Sequence, residues 1–258
     1  MPVRHEFIDK WVRGYVGSTA IVDTRAPMLF WEDHFPVPHY SFATADVRTD
    51  LLVPSIGEPP HQPAFFLPQG PVTTWFDVVV DGRKFPFAAW VRDDPVLADR
   101  IIFSWQPRLM SWLEEDEEVA GHPRDPHKRV EAIASSRRVT VAVDGKVLAE
   151  STRPVLLFET DLPTRYYLPA DDINMSELAA STNKSLCPYK GTADRYWSLV
   201  ENEELRNVAW SYSNPFPAVG KVAGLISFYN ELVDITVDGV PQQRPMSPFS
   251  TAANRPTS

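Results

Sequence analysis

The sequence carries a single cysteine, Cys187, in 258 residues. One thiol excludes an intrachain disulfide and any zinc or iron–sulfur centre built from cysteines. Glycine is scarce as well, at 11 residues, and no glycine-rich run of the kind that cradles phosphates occurs. No apolar run approaches the ~18 residues that a membrane span requires. Met1-Pro2-Val3-Arg4-His5 does not lead into the apolar core of a signal peptide, so a soluble, cytoplasmic chain is expected. Basic clusters are missing too. Lys and Arg number 25 against 34 Asp and Glu, for a net charge of −9 and a pI near 5.2. That balance argues against nucleic acid or an anionic membrane as partner and leaves a small molecule as the expected one. Pairing of two chains into a homodimer stays open.

What is abundant is proline, at 25 residues, about twice the usual ~5% share. Prolines at that density interrupt helices and weigh against a helical bundle. With 43% hydrophobic and 23% charged residues, the chain is otherwise an ordinary folded protein, long enough for two domains.

An internal repeat organises these prolines, with a spacing near 127 residues. Pro27, Leu29 and Glu32 recur as Pro154, Leu156 and Glu159, and the alignment runs on through Pro36 with Pro163 and Tyr40 with Tyr167. Ala89-Trp90 then matches Ala209-Trp210, and Ile101 to Trp105 parallels Leu225 to Tyr229. The repeat divides the chain into copies 1–125 and 126–245, with 246–258 as a tail expected to be disordered.

Strand signals dominate both copies. Arg138 to Val143 alternates, turns at Asp144-Gly145 and returns through Lys146 to Ala149, which reads as a hairpin. Pro154 to Phe158, Thr164 to Leu168, Asp77 to Gly82, Arg206 to Tyr212 and Leu232 to Gly239 read as further strands. Helix is expected only in short pieces, at Asp172 to Ala180 and at Ala218 to Tyr229, the latter equally readable as a strand. The expected fold is mainly β, two tandem small β-rich domains packed as a pseudo-dimer.

Three motifs of the second copy follow in order: Phe158-Glu159-Thr160-Asp161-Leu162-Pro163-Thr164-Arg165-Tyr166-Tyr167-Leu168-Pro169, Cys187-Pro188-Tyr189-Lys190-Gly191 and Ala209-Trp210-Ser211-Tyr212-Ser213-Asn214-Pro215. Together they resemble the family called domain of unknown function 427. The first copy looks like a degenerate second member. The resemblance implies a compact, mainly β unit of the β-tent kind. The family's label also mentions nucleotidyl transfer, for which the sequence offers neither a phosphate loop nor a paired Asp-x-Asp motif.

The motif segments contain the candidate site. Glu159 closes a strand that reads as buried, where a carboxylate needs a cation or a cleft and can be tuned toward a general base; its structural alternative is a salt bridge to Arg165 or Lys190. Lys190, before Gly191 in a proline-bounded turn, can donate a proton, clamp an anion or attack a carbonyl, or simply be a surface lysine. The first copy places Gln69-Gly70 there and drops the charge. Arg165 offers a fork for a carboxylate or phosphate, with Pro38 as its counterpart. Only the second copy then holds a complete site, and the first is scaffold or one wall of the cleft. Cys187 reads as a packed small residue rather than a nucleophile, since no histidine lies in these segments. Glu32, His34 and His39 match a two-histidine, one-carboxylate set, but chance clustering is the better reading, and neither metal nor cofactor is assigned. Tyr167, Tyr189, Trp210 and Tyr212 belong to a dense aromatic group that can line a pocket for a small polar ligand as well as fill a core. The acidic run Glu114 to Glu118 reads as a solvated loop or helix start.

Three functions fit these residues. The first is an enzyme, an isomerase, lyase or hydrolase, acting on a small anionic or carbonyl-bearing metabolite. Glu159 is its base, Lys190 or Tyr167 its acid and Arg165 its anion anchor, while Tyr189, Gly191, Trp210, Tyr212 and Cys187 contact the substrate. The second is a non-catalytic binding or sensing module using the same pocket. The third is a structural or oligomerising protein.

Overall fold

A computed structural model describes residues 3–33, 35–59, 67–105, 109–119, 121–202 and 205–250. The chain divides into two compact units, Met1–Asp125 and Pro126–Ser258. Both are built from antiparallel strands joined by tight turns, as expected of a mainly β protein with frequent proline.

In the second unit a seven-stranded sheet runs, in spatial order, Val130–Ala134, Val155–Glu159, Arg165–Leu168, Ile226–Phe228, Ala209–Ser211, Arg195–Leu199 and Leu178–Ser181. A four-stranded sheet runs Lys146–Ser151, Val139–Val143, Asp234–Val237 and Val240–Pro241. Side chains alternate across each strand, so the large sheet has two apolar faces. One of them packs Leu168, Ala209, Ile226 and Phe228 with Val139, Val141 and Val237 of the small sheet. The other carries Leu157, Tyr167, Tyr196, Trp210, Tyr212 and Tyr229 and packs with Val219 and Val222 of the 3-10 segment Pro217–Val222. Full burial of each such side chain contributes roughly 1.5–3 kcal/mol. A separate ribbon, Ser185–Cys187 with Gly191–Ala193, carries the Cys187 to Gly191 motif on its turn.

The first unit has the same strand order. Its large sheet runs Arg4–Phe7, Met28–Trp31, His39–Ala43, Arg100–Phe103, Arg83–Arg92, Val72–Val80 and Leu52–Pro54. Its small sheet runs Glu117–Val119, Ser111–Glu114, Val12–Val16 and Thr19–Thr24. Tyr40, Phe42, Ala89, Phe103 and Trp112 pack between the two sheets, and Met28, Phe30, Trp90 and Ile102 pack on the opposite face of the large one.

Strand pairing corrects part of the sequence alignment. Leu157 pairs with Arg165 and Val155 with Tyr167, whereas Phe30 pairs with His39 and Met28 with Ser41. With Glu32 set against Glu159, the places of Arg165 and Tyr167 are therefore held by His39 and Ser41, not by Pro38 and Tyr40. A one-residue difference in the turn reverses which face a side chain occupies. Accordingly Tyr40 packs between the sheets while Tyr167 packs on the outer face. The same logic aligns Phe103 with Phe228, since each pairs with the alanine before the motif tryptophan.

Other local expectations also change. Asp172 to Ala180 is not one helix but two 3-10 turns, Ala170–Asp172 and Met175–Glu177, leading into the edge strand Leu178–Ser181. Ala218 to Tyr229 divides into a 3-10 segment and the strand Ile226–Phe228. Glu114 is not solvated: it is buried at the end of a hairpin strand, accepting hydrogen bonds from the Tyr40 hydroxyl at 2.8 Å and the Lys10 ammonium at 2.6 Å. Of the segment from Met246, expected to be disordered, the part that is described forms the 3-10 turn Pro248–Ser250, and Phe249 packs on the outer aromatic cluster. Residues 251–258 lie outside the described residues.

Candidate functional site

Two buried or nearly buried ion pairs dominate the outer face of the second unit. The first joins Glu159, at the end of its strand, to the ammonium of Lys190 on the ribbon turn, with side-chain exposures of 7% and 12%. The turn is tight: the Lys190 N–H donates to the Cys187 carbonyl at 3.3 Å, and the Lys190 carbonyl accepts from Phe216 N–H at 3.0 Å. Gly191 follows at φ 91°, a conformation that a side chain resists, and this is why the motif ends in glycine. Of the two partners the sequence offered Glu159, the structure selects Lys190.

The second pair is deeper. Arg165 donates two parallel hydrogen bonds to Glu231, at 2.6 and 2.7 Å, and a longer one to the Asn230 side-chain oxygen at 3.4 Å. Its guanidinium also lies against the rings of Trp210, Tyr229 and Phe249, 5.5–5.8 Å from their centres. The Ser247 hydroxyl donates to the same carboxylate. Burial alone would raise the Glu231 carboxyl, but Arg165 and Ser247 outweigh it and hold the group below its ordinary value. Arg165 is thus committed to an internal partner, and the anion-anchor role expected of it has no free fork to act through.

Around the pairs lies a layer of phenols. Tyr167 is fully buried, and its hydroxyl accepts a hydrogen bond from Trp210 Nε1 at 3.1 Å. Tyr196 shares a hydrogen bond with the Ser185 hydroxyl at 2.6 Å and a further one with Tyr229. Burial pushes the Tyr167, Tyr212, Tyr196 and Tyr229 phenols up. They remain protonated at neutral pH. The Glu159–Lys190 pair joins the first motif segment to the second, and the Trp210–Tyr167 hydrogen bond joins it to the third, so the three motif segments converge. Cys187 is half-buried on the ribbon, as is Tyr189 on its turn.

Sequence reasoning missed Glu231, Asn230 and Ser247. Their only signal was a polar pair interrupting an apolar stretch after Phe228. It also missed a buried hydroxyl: Ser227 stands across the strands from both Tyr167 and Trp210, and its Oγ has no hydrogen-bond partner among the described residues.

The first unit arranges the same places differently. Glu32 is buried and pairs with Arg92, two residues beyond the motif tryptophan, where the second unit has Tyr212. Gln69 meets Glu32 through its backbone N–H at 2.9 Å, so the charge that Lys190 supplies in one unit comes from Arg92 in the other. An added Cβ at Gly70 would lie 2.2 Å from the end of the Arg92 guanidinium, which would have to shift to admit it. Of the possible metal set Glu32, His34 and His39, His34 lies outside the described residues, and no group of three metal-ligating side chains occurs among those described.

Residues 131–239 match the model of a family described as a domain of unknown function, DUF427, under the label NTP_transf_9. The match takes in all three motifs and both ion pairs of the second unit, and it finds one copy rather than two. No curated protein matches the chain. No helix among the described residues is long and apolar enough to cross a membrane.

Proposed function

We propose that the second unit binds a small anionic or carbonyl-bearing metabolite at the Glu159–Lys190 pair and transforms it by general acid/base chemistry carried by side chains alone. The observation that carries this reading is the pair itself: a carboxylate and an ammonium in contact, mostly shielded from water, on a glycine-ended turn beside a half-buried thiol and protonated phenols. A substrate carbonyl that takes Glu159's place on Lys190 accepts the ammonium's hydrogen bond. The released carboxylate then removes a proton from the adjacent carbon, and Lys190 stabilises the resulting enolate oxygen. Returning that proton at another carbon is isomerisation, and expelling a leaving group is elimination. Arg165 and Glu231 hold the site's floor rather than touching substrate. In this reading the first unit is a diverged second copy serving as scaffold, supported by the shared strand order and by the buried Glu32.

One observation favours a second reading, a non-catalytic binding module: both cations of the site already have carboxylate partners. A thermal-shift screen of small carboxylates and ketones on the full chain, followed by turnover assays on the hits, separates the two. Glu159→Gln is expected to retain binding and lose at least ~100-fold in turnover, the scale of a lost general base, while Lys190→Met loses binding. Hits that bind the wild-type chain without turnover support the module. Hits unaffected by either substitution overturn the site.

A further inference from the structure

With Arg165 tied to Glu231, the Glu159–Lys190 site needs another anchor for the charge of an anionic substrate, and the second unit supplies one on the same face. Lys128 lies two residues before Val130, which stands directly across from Glu159 in the large sheet. The two chains stay paired past that point: Thr160 N–H donates to the Arg129 carbonyl at 3.0 Å, and Arg129 N–H to the Thr160 hydroxyl at 2.9 Å. Side chains alternate along an extended chain, so Lys128 leaves the sheet on the side of Val130 and Glu159, the side of the outer aromatic cluster. Diagonal neighbours on one face are about 7–8 Å apart, within reach of a lysine's four-carbon stem. The Lys128 side chain is 10% exposed, as little as the 12% of Lys190. Their partners differ. Lys190 is in hydrogen-bond contact with a shielded carboxylate. The Lys128 ammonium makes no hydrogen bond among the described residues, and its nearest carboxylate is Asp161, 3.9 Å away with a side chain 82% exposed. A shielded ammonium needs acceptors, and a water-facing carboxylate at that distance supplies charge without supplying one.

We propose that Lys128 anchors the anionic group of the substrate, and that the substrate is a keto acid. Its carbonyl takes Glu159's place on Lys190, and its carboxylate takes Asp161's place beside Lys128. This assignment rests on the Glu159–Lys190 reading of the site. A ketone alone leaves Lys128 without an acceptor, and an acid alone leaves the general base engaged on Lys190; a molecule carrying both groups satisfies both ammonium ions. A doubly charged phosphate would set one ammonium against the Glu159 and Asp161 carboxylates, so a singly charged carboxylate is the better match.

The test is calorimetric titration of the full-length chain with pyruvate, acetoacetate and 4-oxopentanoate, whose carboxylates stand at increasing distances from the carbonyl, and with their methyl esters. The acid that spans the two ammonium groups is expected to bind about tenfold more tightly than its ester, the scale of a hydrogen bond to a charged group. Lys128→Met is expected to erase that advantage, and Lys128→Arg to restore part of it. Asp161→Asn removes the competing carboxylate at an exposed position whose φ of 65° asparagine tolerates. It is expected to tighten the acid about two- to threefold, the scale of a loose exposed ion pair, and to leave the ester unchanged; a purely structural Lys128–Asp161 contact would not do so. If Lys128→Met does not fold, the Asp161→Asn comparison decides. The proposal is overturned by a wild-type chain that binds none of the acids or binds them no more tightly than their esters. It is equally overturned by an acid advantage that survives Lys128→Met, or by acid affinity that Asp161→Asn leaves unmoved. Each of these results spares the Glu159–Lys190 site as long as ester binding is lost in Lys190→Met; ester binding indifferent to that substitution removes the site itself.

Discussion

Arg165 and Glu231 show how far a motif residue's role depends on a partner outside the motif. Their side chains are 6% and 1% exposed, so neither charge can fall back on water. Removing one member of such a pair typically costs about 3–5 kcal/mol, because the other is left buried and uncompensated. Glu231→Gln should therefore lower the unfolding free energy in urea by about that amount at pH 7. The pH dependence has a definite sign. The folded carboxyl is held below its ordinary value, so its contribution is complete above the unfolded value of about 4.3 and is lost as pH falls through the folded one. The wild-type and variant free energies should therefore converge on acidification below about pH 4; a gap as wide at pH 3 as at pH 7 would sink the assignment. At this scale the sequence revealed Glu159, Arg165 and Lys190 as charged residues needing partners, because a motif concentrates them. It could not reveal that Arg165 reaches Glu231, in a turn between strands more than sixty positions later, nor the one-residue slip that moves Arg165's counterpart from Pro38 to His39.

Among the elements, those specified by two adjacent residues were legible, and those decided by a distant strand were not. The hairpin Val139–Val143 to Lys146–Ser151 turns on Asp144 and Gly145, with φ of 49° and 80°. A two-residue turn of this type needs both φ positive, which Asp-Gly provides cheaply. Asp172 to Ala180, by contrast, carries a plausible helix cap, yet Ile173 bridges to Ala149 and Leu178–Ser181 pairs with Arg195–Leu199. Sheet hydrogen bonds outweighed a local preference. Gly145→Val tests the turn: a Cβ there meets nothing within 4 Å, so any loss comes from the backbone alone. The expected cost is roughly 1–2 kcal/mol by urea unfolding, with Asp144→Asn close to neutral because Asn tolerates the same φ. A Gly145→Val chain as stable as wild type would show that the turn adopts another conformation.

For the molecule as a whole, the question is what constitutes a folding unit, and the contacts of the second unit answer it. Both apolar clusters of the second unit are built from residues between Val130 and Phe249, and its size lies in the range, under ~150 residues, where single domains unfold cooperatively. The family match ends at residue 239, but the structure continues: Ser247 bonds Glu231, and the Phe249 ring lies 5.7 Å from Tyr229, tilted at 44°, and 5.8 Å from the Arg165 guanidinium. The strap formed by residues 246–250 therefore completes the burial of the Arg165–Glu231 pair, although composition alone marked the segment for disorder. Its few residues each mattered through one contact, which no periodicity reports. It follows that a fragment spanning 126–258 should unfold in one urea transition, with Trp197 and Trp210 fluorescence coincident with the loss of circular dichroism. A fragment ending at Pro245 should be less stable by about 1–3 kcal/mol, the sum expected of a partly buried phenylalanine and a hydrogen bond to a charged group. Equal stability of the two fragments would mean that the strap rests on the unit without contributing to it, and the absence of any cooperative transition in 126–258 would mean that the second unit is not autonomous.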